Sequence, residues 1–179
     1  MTTTLDTTVH TSGRTAGAAG LLLTALGVFA AFGPDAGGIW FALAAVAILL
    51  FVGGITGLRK AVADVTTARR ALAVVAVTMT LFGLSHLYAI VDPDRATPLF
   101  SALMVLSAVG LIVAGVAILR ARIWSGPGRF LPLLCGVWPL ATIPVGAAVG
   151  DVPHFLAIAL WGVSWIGLSR LLLTTPVRA

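Results

Sequence analysis

Long apolar runs alternate with short polar breaks along the chain, and the run length decides the fold. Apolar runs stand near 16–33, 38–58, 71–91, 98–119, 130–149 and 154–173. Each is close to the ~20 residues a helix needs to cross a hydrocarbon core of about 30 Å. The alternating pattern of a membrane β-barrel is absent, and backbone amides in lipid must bond within their own segment, so all six runs are predicted to be helices. Residues 1–15 (MTTTLDTTVHTSGRT) are polar and read as a disordered tail, 16–173 as a six-helix transmembrane domain, and 174–179 as a C-terminal tail. The basic stretch RKAVADVTTARR (59–70) reads as a loop or a short interfacial helix.

The breaks between runs carry the orientation. Arg14, Arg59, Lys60, Arg69, Arg70, Arg120, Arg122, Arg129, Arg170 and Arg178 fall on one side, while Asp35, Asp92, Asp94 and Asp151 fall on the other with Arg95. Basic residues accumulate on cytoplasmic loops because their translocation is disfavoured. The expected architecture is therefore an all-α integral membrane protein with six transmembrane helices as three antiparallel hairpins, N-in and C-in, in a bacterial cytoplasmic membrane. A cleaved signal peptide is the alternative for the first run, because Arg14 precedes an apolar stretch and Val28-Phe29-Ala30 resembles a cleavage site. Cleavage leaves the orientation of the rest unchanged.

Composition narrows the partners. Apolar residues make up 59% of the chain and charged ones 9%, against about 25% charged in a soluble domain. The formal charge of +5 then reflects inside loops rather than nucleic-acid binding. The expected partners are the lipid bilayer and, as candidates, a second copy or another membrane protein. With one cysteine, Cys135, the chain has no internal disulfide, and no Cys/His spacing matches a zinc site. No cofactor is expected.

Sequence spacing suggests how the helices meet. The stretches GGITGLRK, AGVAILRA and SWIGLSRL end successive hairpins on Arg59, Arg120 and Arg170. They read either as a triplicated hairpin or as the common consequence of ending inside. Gly53 with Gly57, Gly146 with Gly150, and Gly110 with Ala114 stand four apart, a spacing that opens a flat helix face for tight intramolecular packing.

Candidate chemistry is sparse. An ionisable residue inside a membrane helix is a functional candidate, and His86, with Tyr88 nearer the headgroups, is the one such case. His154 and Asp151 open the sixth run at similar depth, so two imidazoles and the carboxylates of Asp92, Asp94 and Asp151 are candidates to meet at an outer mouth. Such a group suits acid sensing or divalent-metal binding; ordinary packing is the competing reading. In the fifth run Pro139 withdraws the amide partner of the Cys135 carbonyl, and Pro144 does the same for Leu140. Freed carbonyls at this depth must be buried in protein or line a wet cavity. Trp161, near the centre of the sixth run with Trp165 one turn on, needs a partner for its indole N–H and is placed to face the fifth run; Thr142 is the other candidate. No acid–base carboxylate pair, nucleophile triad or nucleotide loop appears, so no enzyme activity is expected.

FGLSHLYAI (82–90) and GDVPHFLAIALWGVSWIGL (150–168) resemble segments of the six-helix urea/amide channel family over less than a fifth of the chain. The resemblance implies a small neutral solute. Here the two stretches stand one helix further apart, no helix follows the Trp-rich one, and the chain has no Glu, so no family is assigned. The expected function is a permease-like or channel-like unit for a small neutral solute, or an accessory membrane subunit. A dry, purely structural bundle is the alternative. The candidate binding residues are His86, Tyr88, Pro139, Thr142, Asp151, His154 and Trp161.

Overall fold

The computed structural model describes residues 2–33 and 37–174. Asp35, Arg178 and all but the first residue of the C-terminal tail lie outside the described residues. The elements are α1 (Thr2–Phe32), α2 (Gly37–Ala61), α3 (Thr66–Ala89), α4 (Pro93–Ala121), α5 (Leu131–Val149) and α6 (Asp151–Thr174), with a 3₁₀ turn at Pro127–Phe130 leading into α5. Six of the described helices are long and apolar enough to cross a membrane, and the described residues contain no strand. The chain is a multi-pass membrane protein.

Local chemistry sets the helix ends. The Asp92 side chain accepts from the Arg95 backbone N–H (3.1 Å), and Pro93, which has no N–H to satisfy, takes the first position of α4. Arg122 closes α4 in the left-handed region (φ 51°). A single residue, Gly150, joins α5 to α6 at φ 144°, a conformation open to a residue without Cβ.

Two expected boundaries change. The stretch 59–70 is not an interfacial helix: α2 continues to Ala61 and α3 begins at Thr66, leaving a short turn between them. The predicted disordered tail is helical, as α1 starts at Thr2. Most of its residues are small and polar, and Val9 and Ser12 within it are buried, as is Ala16 just after it. Thr15 donates its hydroxyl to the Ser12 carbonyl (2.9 Å), so the helix itself absorbs the polarity.

Each helix packs on its neighbours in sequence, and α6 packs on α1, closing the six into a ring. The α1–α6 seam is built from glycine. A Cβ on Gly20 would lie 2.6 Å from the Gly162 carbonyl oxygen, and one on Gly162 would lie 2.6 Å from that of Gly20. The register runs from Gly13 against Ser169 and Leu173, through Gly20 against Gly162 and Ile166, to Gly27 against Phe155 and Ala159. Thr24 crosses the seam, its hydroxyl within reach of both the Gly20 carbonyl (2.8 Å) and that of Ala159 (3.1 Å). Gly53 and Gly57 meet Thr15 and Ser12 of α1, and Gly110 meets Val75 of α3. Of the predicted pair Gly146 and Gly150, Gly146 packs on His154 while Gly150 forms the turn.

The outer faces are aliphatic, with Leu21, Val77, Leu106, Val145 and Leu160 among the exposed side chains. In water such a surface would drive association; in a bilayer it is the solvated face. One end of the ring carries Arg59, Lys60, Arg69, Arg70, Arg120, Arg122 and Arg129. The other carries Asp92, Asp94, Arg95 and Asp151.

Candidate functional site

The two halves of the ring differ. In the half nearer the basic end the core is filled: Phe51, Ile55, Leu58, Leu72, Leu111 and Leu168 are fully buried. Phe51 stacks on Trp165 at 4.2 Å between centroids. In the acidic half the helices enclose a cavity of ≈830 Å³, to which all six contribute. Its lining descends on α2 from Gly37 to Ile48 and on α6 from Asp151 to Trp161. At 1.5 Å per residue this is a depth of about 15 Å, half of a ~30 Å hydrocarbon core. Leu23, Ile48, Ile158 and Trp161 form its lower end, above the Phe51–Trp165 stack. The cavity is a blind vestibule.

His86 sits in its wall inside a cluster of rings. Phe100 of α4 stacks on the imidazole (centroids 4.4 Å, 29°), and Phe82 one turn earlier meets it edge-on (4.7 Å, 77°). Trp40 and Phe41 of α2 lie at 6.1 and 6.3 Å. Trp40 continues to Phe155 of α6 (5.9 Å), which in turn touches His154 (5.3 Å). An aromatic chain thus joins the two histidines around the wall.

Backbone partners fix both rings. His86 Nδ1 lies 2.9 Å from the Phe82 carbonyl oxygen, and His154 Nδ1 lies 3.3 Å from that of Ile143. A carbonyl only accepts, so Nδ1 carries the proton in each case, and the neutral ring keeps Nε2 as an acceptor. The Trp40 indole Nε1–H is the converse: it is buried and has no hydrogen-bond partner among the described residues.

The proposed Pro139 site resolves differently. Trp161 Nε1 donates to the Cys135 carbonyl at 2.9 Å, and this is the carbonyl that Pro139 leaves without its helical amide. The same indole lines the vestibule floor. Trp138 donates to the Ala157 carbonyl at 2.9 Å, so two indoles tie the proline-bearing α5 to α6. Thr142 is not the partner of the freed carbonyl. Its hydroxyl donates to Trp138 within its own helix (2.8 Å).

The residues singled out by sequence therefore separate. His86, Asp151, His154 and Trp161 line one cavity. Pro139 is buried beside it and Thr142 stands clear of it, while Pro144 reaches the wall. Tyr88 is 40% exposed and lies outside the lining, because two residues along a helix from His86 turns the side chain to the far face. The carboxylates do not converge either. Asp92 caps α4 and pairs with Arg95 (3.4 Å), and no set of three His, Cys or Asp side chains suited to a metal occurs among the described residues.

Sequence reasoning missed the aromatic wall of Trp40, Phe41, Phe100 and Phe155. The signal was depth: Trp40, Phe100 and Phe155 each stand within the first two turns of a helix that starts at the acidic end. No known family, no curated protein and no solved structure matches this chain.

Proposed function

We propose that the chain is a non-enzymatic, permease-like membrane unit that binds a small organic solute from outside the cell. One observation carries the reading: six helices converge on a single vestibule that is open at the acidic end and closed at mid-depth by packed aromatic rings. Ligand sites are characteristically concave, largely apolar and provided with a few polar groups, and this cavity fits that description. Segregation of basic residues at the opposite end supports an N-in, C-in orientation in three antiparallel hairpins. In that orientation the vestibule faces outward.

The filled inner half argues against an open channel. Transport in this reading requires the floor at Trp161 and Trp165 to part, with α5, whose backbone bonding Pro139 and Pro144 interrupt, as the element that moves. The test is solute uptake into proteoliposomes together with binding followed by the fluorescence of Trp40 and Trp161. Ser101, an exposed lining residue of α4, provides the control. Ser101→Trp should fill the vestibule and abolish binding and uptake while the protein melts at an unchanged temperature in detergent. A wild-type protein that binds and moves no solute of any charge class would return the chain to a structural role.

A further inference from the structure

The vestibule's hydrogen-bonding capacity is lopsided, and this deepens the solute-binding reading on which it rests. Both lining histidines spend their Nδ1 proton on backbone carbonyls and offer Nε2 as an acceptor. Thr97 donates its hydroxyl to the Pro93 carbonyl at 2.9 Å, and Ser101 points its hydroxyl at the Thr97 carbonyl at 3.5 Å, so both protons go to the helix backbone and the oxygens keep acceptor capacity alone. Asp151 adds a carboxylate, and no Lys or Arg is among the lining residues. Against these acceptors stands one unpartnered donor, the Trp40 indole.

Aromatic side chains make up much of the remaining wall. Trp40 meets Phe41 at 88° and Phe155 at 65°, edge to face, and Phe41 lies near-parallel to Phe100 at 6.1 Å, so the rings form one continuous π-rich wall. A ring face attracts cations through its quadrupole, more strongly once the cation has left water. The mouth has the same sign: Asp151 lines it, and at that end of the ring Asp94 stands in the first turn of α4 while Arg95 pairs with Asp92. Such a rim concentrates cations and repels anions.

We propose that the vestibule takes an organic cation, a protonated primary amine carried on an apolar ring-bearing body. The ammonium N–H groups donate to imidazole Nε2 while its charge lies against the rings and Asp151. The body fills the apolar lower part above Ile48 and Ile158. A neutral solute of the same shape leaves most of the acceptors unused, and an anion meets a carboxylate with no cation to receive it.

The experiment is calorimetric titration of the full chain in uncharged detergent with four probes of one skeleton: 4-phenylbutylammonium, its N,N,N-trimethyl analogue, 4-phenylbutanol and 4-phenylbutanoate. The primary ammonium should bind tightest. The trimethyl analogue keeps the charge but has no N–H, so it should bind about tenfold more weakly, as the loss of one charge-assisted hydrogen bond implies. The alcohol should be weaker by at least that factor and the carboxylate weakest. In Asp151→Asn the ammonium should lose about fivefold, the size of one screened charge at several ångströms, with the alcohol unchanged. His154→Gln should narrow the gap between primary and trimethyl ammonium, and a normal melting temperature shows that it folds. Binding of the alcohol or carboxylate as tight as the ammonium would overturn the cation assignment while leaving a solute site. Equal binding of the two cations would overturn the primary-amine assignment. No heat from any probe, with the protein folded, would overturn the solute-binding reading itself.

Discussion

The Cys135 carbonyl shows how this chain accommodates a proline in the middle of a membrane helix. Pro139 removes its amide partner, and an unsatisfied carbonyl in hydrocarbon costs several kcal/mol. Trp161, on the facing helix, supplies the N–H at 2.9 Å. The two residues are therefore coupled. Trp161→Phe should destabilise the protein by about 1–3 kcal/mol, the cost of leaving a buried acceptor bare. In a Pro139→Ala background the residue-139 amide returns to the carbonyl, so the same change should cost distinctly less. A double-mutant cycle on detergent unfolding measures the difference. Additive effects would mean that Trp161 contributes by packing alone.

Among the elements, the α1–α6 seam closes the ring, and its closeness depends on glycine. A Cβ at Gly162 would lie 2.5 Å from the Thr24 hydroxyl oxygen and 2.6 Å from the Gly20 carbonyl oxygen, distances that force the helices apart. Gly162→Ala should therefore cost roughly 1–3 kcal/mol and lower the detergent melting temperature. Gly38→Ala is the control, as its added Cβ would lie 3.6 Å from Ile90, and it should be close to neutral. The seam was only partly legible in the sequence. Hydropathy marks spans that face lipid, and it located six. It passes over residues 8–15 because Thr, Ser and Gly are polar or neutral on any transfer scale. Inside a bundle, however, their small size lets backbones approach and their hydroxyls bond to their own helix. The Trp161–Cys135 pair was legible because a proline names the carbonyl it frees. The aromatic wall around His86 was not, because Trp40, Phe100 and Phe155 come from helices whose adjacency only the closed ring settles.

For the whole molecule, function turns on which side of the membrane the vestibule opens. The charge pattern predicts the outside, and the blind floor makes the prediction sharp, because a reagent in the vestibule has no path through the filled half. Cys135 is fully buried, so the native chain should give a blank with a membrane-impermeant maleimide. Ser101→Cys places a thiol on the vestibule wall and should label in intact cells. Bound 4-phenylbutylammonium should slow that labelling. Thr67→Cys, in the first turn of α3 beside Arg69 and Arg70, should label only after the membrane is opened. The two sites lie at opposite ends of the ring, so any single orientation exposes one and hides the other. Labelling of Thr67→Cys from outside, with Ser101→Cys silent until permeabilisation, would invert the protein. The vestibule would then collect its solute from the cytoplasm, and the acidic end would be an inner mouth in violation of the charge rule. Labelling of both in intact cells would require a path past Phe51 and Trp165, and an open pore would replace the blind vestibule.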